Sequence, residues 1–252
     1  MSKIQIMDSC LGNRAINAGA FQIDEVSRLI SDQENTEEMN HSLYKFWKDI
    51  FDRFLAFCFL IISLPAMAAI ALSIKLDSKG KVIFRREQVG LNGRRFIAYK
   101  FRTMIANNDD KQYREYIAKY VQENMPYTTD EDGQPVYKLM NDARITGFGA
   151  FLRKTNLDEL PQFFNILKGD MSLVGPRPDI PYAVQMYQDW HRQRLLVKPG
   201  LTGLWQTSRR KSLSFEEMVR LDIDYIHKQS LLLDSKILLK TVGVVLNRDG
   251  SC

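Results

Sequence analysis

The sequence predicts an α+β fold that is mostly helical, in which a proline-kinked, re-entrant membrane helix is joined to a larger water-facing domain with one small β-hairpin. Three observations carry this prediction. Between Arg53 and Lys75 lie 21 residues without a charge, FLAFCFLIISLPAMAAIALSI, with Pro65 just past the midpoint. A basic stretch, KVIFRREQVGLNGRRFIAYKFRTM, places two short β-prone runs on either side of Asn92-Gly93. Helical periodicity occupies much of the remaining chain, above all after residue 179.

The chain has 252 residues, 45% of them hydrophobic and 26% charged, enough for one large domain with an appendage. Its formal charge of +5 is uneven. Residues 1–40 hold three bases and seven acids, so the body is strongly basic and the leader acidic. The leader lacks an apolar core and a small-residue cleavage site, and no secretory signal is expected. A short helix is predicted over Ile23–Ile30, followed by a polar linker, SDQENTEEMNH, at 31–41. Cys10, Cys58 and Cys252 lie far apart with no metal-ligand spacing, so reduced thiols are expected, with Cys58 serving as a small apolar residue.

The uncharged run reaches the length of a membrane helix. Eleven of its residues are Phe, Leu or Ile, and at roughly −0.3 to −0.6 kcal/mol each the sum favours insertion by about 3 to 7 kcal/mol. A buried core helix is the alternative, although core helices are seldom apolar on every side. Pro65 removes an amide donor and collides with the carbonyl of Ile61, which predicts a kink, and Ser63 is placed to give the freed backbone a polar partner. Both flanks are basic: Lys45, Lys48 and Arg53 before, Lys75, Lys79, Lys81, Arg85 and Arg86 after. Positive residues favour the cytoplasmic face, so a bent segment that enters one leaflet and returns satisfies flanks, kink and length together, whereas a straight span, the alternative, leaves one basic flank outside. Phe46 and Trp47, between Lys45 and Lys48, read as interfacial anchors with the ammonium groups near lipid phosphate.

Beyond the membrane run, strands are predicted near Val82–Phe84 and Phe96–Lys100, joined through the Asn92-Gly93 turn. Arg85, Arg86, Arg94, Arg95, Lys100 and Arg102 give this hairpin a surface suited to phosphate or lipid headgroups. A plain solvated face is the alternative, and nucleic acid is disfavoured by the neighbouring apolar run. A helix is predicted from Asp110 to Glu123, then a loop, PYTTDEDGQP. Later helices are predicted over Tyr182–Leu196, Phe215–His227 and Leu231–Leu246, with a turn at Lys198-Pro199-Gly200.

The stretch TNLDELPQFFNILKGDMSLVGPRP, residues 155–178, carries the strongest chemical signal. As local structure it reads as a helix over 157–168, with Asn156 as cap, Glu159 completing a capping box, an apolar face of Leu160, Phe163, Phe164 and Leu167, and Gly169 as the stop. On those grounds alone the two acids need no chemistry. Neighbours on a helix point about 100° apart, however, so Asp158 and Glu159 are free to serve different partners, one a metal and one a substrate. Arg153 lies five residues earlier, and Arg177 sits between Pro176 and Pro178, which fix its backbone for phosphate recognition. A carboxylate attacks phosphorus well when ionised and when the phosphate charge is masked by cations, for which magnesium is suited.

Taken together, the basic hairpin, NDARITGFGAFLRKTNLDELPQFFNILKGDMSLVGPRP, KPGLTGLWQ and LDIDYIHKQSLLLDSKILLKT, in that order behind a proline-broken apolar helix, resemble the bacterial sugar transferases over residues 48–248. These are monotopic polyprenyl-phosphate phosphoglycosyl transferases. The resemblance implies transfer of a sugar 1-phosphate from a UDP-sugar to undecaprenyl phosphate, with release of UMP, as the first membrane step of exopolysaccharide, capsule or O-antigen assembly. It implies Asp158 as covalent nucleophile, Glu159 as ligand of Mg2+, Lys100, Arg102, Arg153, Arg177 and Asp222 at phosphate- or nucleotide-binding positions, and Ser63 and Pro65 at the membrane kink.

The implied organisation is an acidic leader and linker at 1–44, a membrane-embedded re-entrant helix at 45–78 and a cytoplasmic catalytic domain at 79–252, on the bacterial inner membrane. Expected partners are the UDP-sugar, undecaprenyl phosphate and membrane lipid, with a homodimer left open and nucleic acid excluded. Leu64 between Ser63 and Pro65, and Ala143 in place of a proline, depart from the family's usual pattern. A membrane-tethered scaffold without catalysis and a metal-dependent phosphohydrolase are the competing functions.

Overall fold

The structure is a computed structural model that describes residues 21–105, 111–129, 133, 135–137, 142, 144–208 and 213–247. Cys10, Cys252, Ala143 and the leader before residue 21 lie outside the described residues. The chain divides into two compact units, Met1–Trp47 and Lys48–Cys252. Helix α1, Phe21–Asp77, contributes to both. In the first unit the described side chains of Leu43, Phe46 and Trp47 are exposed, the two rings meeting edge to face. The expected helix over Ile23–Ile30 is part of α1, which continues through 31–41, so the polar stretch read as a linker is helical. Its acids and amides at helix-compatible positions do not break the element, and no Gly or Pro interrupts it.

In the second unit, β1 (Ile83–Val89) and β2 (Arg95–Phe101) pair antiparallel from Ile83↔Phe101 to Val89↔Arg95. Asn92 and Gly93 both take positive φ, 54° and 78°, as the sequence signal requires. Helix α2 covers Lys111–Gln122, and β3 (Thr128–Thr129) and β4 (Pro135–Val136) form a minimal hairpin in the loop that follows. Then come α3 (Gly147–Lys154), a 3-10 segment Leu157–Gln162, α4 (Phe163–Lys168), β5 (Ser172–Val174), α5 (Pro181–Gln185), a 3-10 segment Asp189–Leu196, β6 (Gly200–Thr202), α6 (Phe215–Lys228) and α7 (Leu231–Asn247). Strands β5 and β6 pair in parallel.

Two predicted helices are corrected. Residues 157–168 are not one capped α-helix. Asn156 is left-handed (φ 55°) and its side chain caps nothing; the first turn is 3-10 because Pro161 has no amide to donate back to Leu157. Residues 182–196 break after Gln185 and resume as a 3-10 segment, since Tyr187 and Arg194 are drawn into a buried polar network described below.

Three apolar clusters fill the unit. Ala56 of α1 packs with Phe96, Ala98, Ile166, Leu173, Tyr225 and Ile237, while Ile70 and Ile74 pack with Phe101 and Leu152, flanked by Leu157 and Leu160. A third cluster joins α2, α5 and α6 around Val219 and Phe215. Helix α1 thus gives the core one narrow stripe and leaves large apolar side chains outside: Phe54 63%, Ile62 76%, Leu72 62% and Leu76 80% face outward. Its stretch Ser42–Asp77 is long and apolar enough to cross a membrane. Cys58 is a partly buried free thiol on this helix.

The helix carries three further corrections. Ser63 donates to the carbonyl of Leu60 at 3.2 Å, one residue before the Ile61 carbonyl that Pro65 frees, because a serine hydroxyl reaches the carbonyl three positions back. Lys48 does not point toward lipid: its ammonium is buried against Asp234 at 2.7 Å, with Asp52 at 3.5 Å. Arg102, expected at a phosphate-binding position, is engaged by the protein's own backbone. Its guanidinium is buried under the C-terminal end of α1, donating to the carbonyls of Ile74, Ser78 and Lys81 and to the Ser78 hydroxyl. Ile74 lies in the last turn of α1 and accepts from Ser78 N as well, while Ser78 and Lys81 follow the helix end, and a cation there has the sign the helix dipole favours.

Candidate active site

The site is assembled where β2 meets the acid-bearing 3-10 segment. Asn165, fully buried on α4, joins the two: its carbonyl oxygen accepts from Tyr99 N at 3.1 Å and its amide donates to Ile97 O at 2.7 Å. This side chain was not singled out in the sequence, though an amide on the buried face of FFNILK was a signal. Leu157 and Leu160 anchor the segment from the other side, beside Ile70 and Ile74 of α1. Phe163 stacks on Phe59 of α1 with ring centroids 5.5 Å apart. Phe164, expected on the apolar face, is exposed.

With the segment fixed, Lys100 of β2 reaches Glu159 Oε1 at 2.6 Å and Arg177 reaches the same oxygen at 2.9 Å. Both charge-assisted contacts end on Oε1, which leaves Oε2 without a hydrogen bond among the described residues. Burial, the largest single influence, would raise the Glu159 carboxyl, and Arg177 and Lys100 together overcome it and hold it at about 2. Glu159 is ionised.

Asp158 differs in every respect. It is 8% exposed and its carboxylate has no hydrogen-bond partner among the described residues. Burial raises its pKa; Lys100, Arg153 and Arg177 pull it down, and the Glu159 charge adds a smaller upward push. One acid is clamped by two cations and the other has no hydrogen-bond partner among the described residues. The environments of the two neighbours are therefore separated, which is the usual mark of divided roles.

Arg153 is brought to this site by close packing of α3 on the strand end. A Cβ on Gly149 would lie 2.2 Å from the Thr103 carbonyl oxygen, so only glycine lets the helix approach, and Arg153 Nε then donates to Thr103 Oγ1 at 2.9 Å. Arg177 is held by a turn whose backbone is pinned throughout. Gly175 N donates to Thr202 O, Gly200 N to Pro176 O, and Val89 N to Asp179 O. Gly175 and Gly200 cross so closely that a Cβ on Gly200 would meet Gly175 N at 2.1 Å.

Asp222 is not at the surface of the site. It is 0% exposed and accepts from Arg194 Nε at 2.8 Å. Burial pushes its carboxyl up, against the pull of Arg194. The expected site residues thus sort into three sets. Asp158, Glu159, Lys100, Arg153 and Arg177 converge, Asp222 lies behind them, and Arg102, Ser63 and Pro65 belong to α1 and its end.

This constellation, two unlike acids among three cations beside an exposed apolar helix, has a match in sequence space. A family profile described as Bacterial sugar transferase covers residues 43–248. The chain belongs to the bacterial sugar transferase family. Among its relatives, an undecaprenyl-phosphate galactose phosphotransferase from Salmonella typhimurium is 42% identical over 207 residues, 82% of this chain and 42% of the relative. A UDP-galactose-lipid carrier transferase from Erwinia amylovora is 41% identical over 210 residues, 82% of this chain and 42% of the relative. The exopolysaccharide production protein ExoY of Sinorhizobium fredii is 36% identical over 204 residues, 81% of this chain and 87% of the relative. The chain spans less than half the length of the first two relatives and most of the third. Every converging residue of the site lies inside the region matched to the sugar transferase family.

Proposed function

We propose that this protein transfers a sugar 1-phosphate from a UDP-sugar to undecaprenyl phosphate, releasing UMP, through a covalent intermediate on Asp158. The observation that carries the reading is the contrast between the two acids: Asp158 buried without a hydrogen-bond partner among the described residues, Glu159 clamped by Lys100 and Arg177. Family membership and the names of the relatives support the substrate classes.

In the first step an Asp158 carboxylate oxygen attacks the β-phosphorus of the donor. The bond from that phosphorus to the bridging oxygen breaks and UMP departs with the electron pair. In the second step an oxygen of the polyprenyl phosphate attacks the same phosphorus and the Asp158 carboxylate is regenerated. Lys100, Arg153 and Arg177 offset the phosphate charge in both steps. Burial raises the Asp158 pKa, which makes its carboxylate the more basic nucleophile, and the three cations favour the ionised form. Glu159 Oε2 is the oxygen suited to holding Mg2+, an ion that binds through one or two carboxylates and substrate phosphates and would mask diphosphate charge.

The exposed apolar face of α1 supports a place at the bacterial inner membrane, where a lipid phosphate acceptor resides. The basic flanks favour the re-entrant arrangement with the domain on the cytoplasmic face. The test is to supply UDP-sugar labelled in the β-phosphate, with magnesium, to the full chain. UMP release in one-to-one proportion with protein-bound label before acceptor is added, and label moving to polyprenyl phosphate afterwards, is the expected result. Label appearing only as free sugar phosphate would make the enzyme a hydrolase, and no UMP at all would leave a scaffold.

A further inference from the structure

Behind the turn that carries Arg177 lies a buried arginine that the mechanism does not use. Arg194 is 3% exposed, and its guanidinium donates in four directions: Nε to Asp222 Oδ2 at 2.8 Å, Nη1 to Asp179 Oδ2 and to Tyr187 Oη at 2.7 Å each, and Nη2 to the backbone carbonyl of Arg177 at 3.0 Å. Tyr187 closes the ring by donating to Asp179. Arg194 and Asp222 are taken into the interior, while Asp179 stays partly exposed at the edge of the network. Such an arrangement is weak evidence for stability, because desolvation offsets much of the attraction. What it does supply is geometry.

Through the Arg177 carbonyl this network holds the backbone of the residue that presents the site's guanidinium. The carbonyls on either side, those of Pro176 and Asp179, are fixed by Gly200 N and Val89 N. Of the two carbonyls between them Arg194 fixes that of Arg177, and it holds the Asp179 side chain as well. With two flanking prolines limiting φ, the peptide that bears the Arg177 side chain has little freedom left.

We infer that Arg194 is a positioning residue that aims the Arg177 guanidinium at Glu159, and that Asp222 serves the site only through Arg194. A planar fork with five donors meets four acceptors at once, whereas a lysine in its place is a point charge that satisfies the acids and abandons the carbonyl. Asp222 holds the fork in the plane that the Arg177 carbonyl requires. The kinetic consequence rests on the proposed transfer reaction; the aim itself rests on geometry alone.

The experiment compares the full chain in detergent as parent, Arg194→Lys, Arg177→Ala and the double variant. Arg194→Lys is expected to lower kcat for UMP release about 10- to 100-fold, the scale of a misplacement of about an ångström. In the Arg177→Ala background the same change is expected to lower it by less than about threefold, since there is no guanidinium left to aim. Equal factors in the two backgrounds overturn the inference. The second readout needs no turnover. The Arg177 Nε–H resonance, assigned by its absence in Arg177→Ala, is expected to shift and broaden in Arg194→Lys, and an unchanged signal overturns the inference. Should Arg194→Lys fail to fold, Asp222→Asn keeps the shape while withdrawing the charge that orients the fork, and the same two readouts apply. A parent that releases no UMP defeats the transfer reaction, while the resonance still decides whether Arg194 positions Arg177.

Discussion

Lys100 Nζ lies 2.6 Å from Glu159 Oε1, joining strand β2 to the acid-bearing segment across 59 residues of sequence. The pair is only partly shielded from solvent, and with Arg177 on the same oxygen it makes Glu159 the electrostatic hub of the site.

Asp158→Asn tests the nucleophile. Burial raises the Asp158 carboxyl, so its ionised form disfavours folding at neutral pH, and a neutral isostere relieves that burden. The variant is expected to melt at or slightly above the parent temperature and to lose UMP release by at least about a thousandfold. Full turnover in the variant would remove Asp158 from the mechanism.

Glu159→Gln tests the hub through pH. The folded carboxyl sits at about 2 against an ordinary 4.5. A depressed acid contributes stability that is present above its unfolded pKa and lost as pH falls through the folded value. At about 1.4 kcal/mol per unit the contribution is about 3 kcal/mol at neutral pH. Denaturant midpoints of parent and variant are expected to differ most above pH 4.5 and to converge toward pH 2. A gap that stays constant across that window would contradict the clamp.

Arg102→Ala separates a structural arginine from a ligand-binding one. Losing the donors to Ile74, Ser78 and Lys81 is expected to cost about 2–3 kcal/mol, with little change in KM for the UDP-sugar in the protein that remains folded. Unaltered melting with a large rise in KM would return Arg102 to the phosphate site.

Asn165→Ala leaves two backbone groups of β2 without their partner. The expected loss is about 1–3 kcal/mol, accompanied by a fall in kcat, because the acid segment is no longer registered against Lys100. A drop in melting temperature with kcat intact would confine Asn165 to folding.

The re-entrant arrangement is checked by cysteine labelling at Ser42 and Lys79, the second chosen because the neighbouring Ser78 hydroxyl is engaged by Arg102. Neither position is expected to react with an impermeant reagent added outside intact cells. Reaction at one of the two would establish a straight span.

What the sequence made legible was local. The hairpin declared itself through alternation and Asn92-Gly93, and helices α2, α6 and α7 through periodicity. The two acids and Arg177 stood out because their residue types and fixed prolines are visible in a single window. Tertiary partnerships were not visible there. Arg102 and Lys100 sit two residues apart in the same basic run, yet one is turned beneath α1 and the other faces Glu159. Asp222 reads like any acid on an amphipathic helix until Arg194 is found against it. The break between Gln185 and Asp189 follows from that same network, which no periodicity encodes.

Ala56, Leu60, Ile70 and Ile74 are core residues of the same unit that holds Asp158, and Phe59 lies flat on Phe163. The greasy helix is therefore not a tether that could be exchanged for another. Severing the chain at residue 78 would strip away one wall of that unit, the one against which the segment bearing Asp158 is packed.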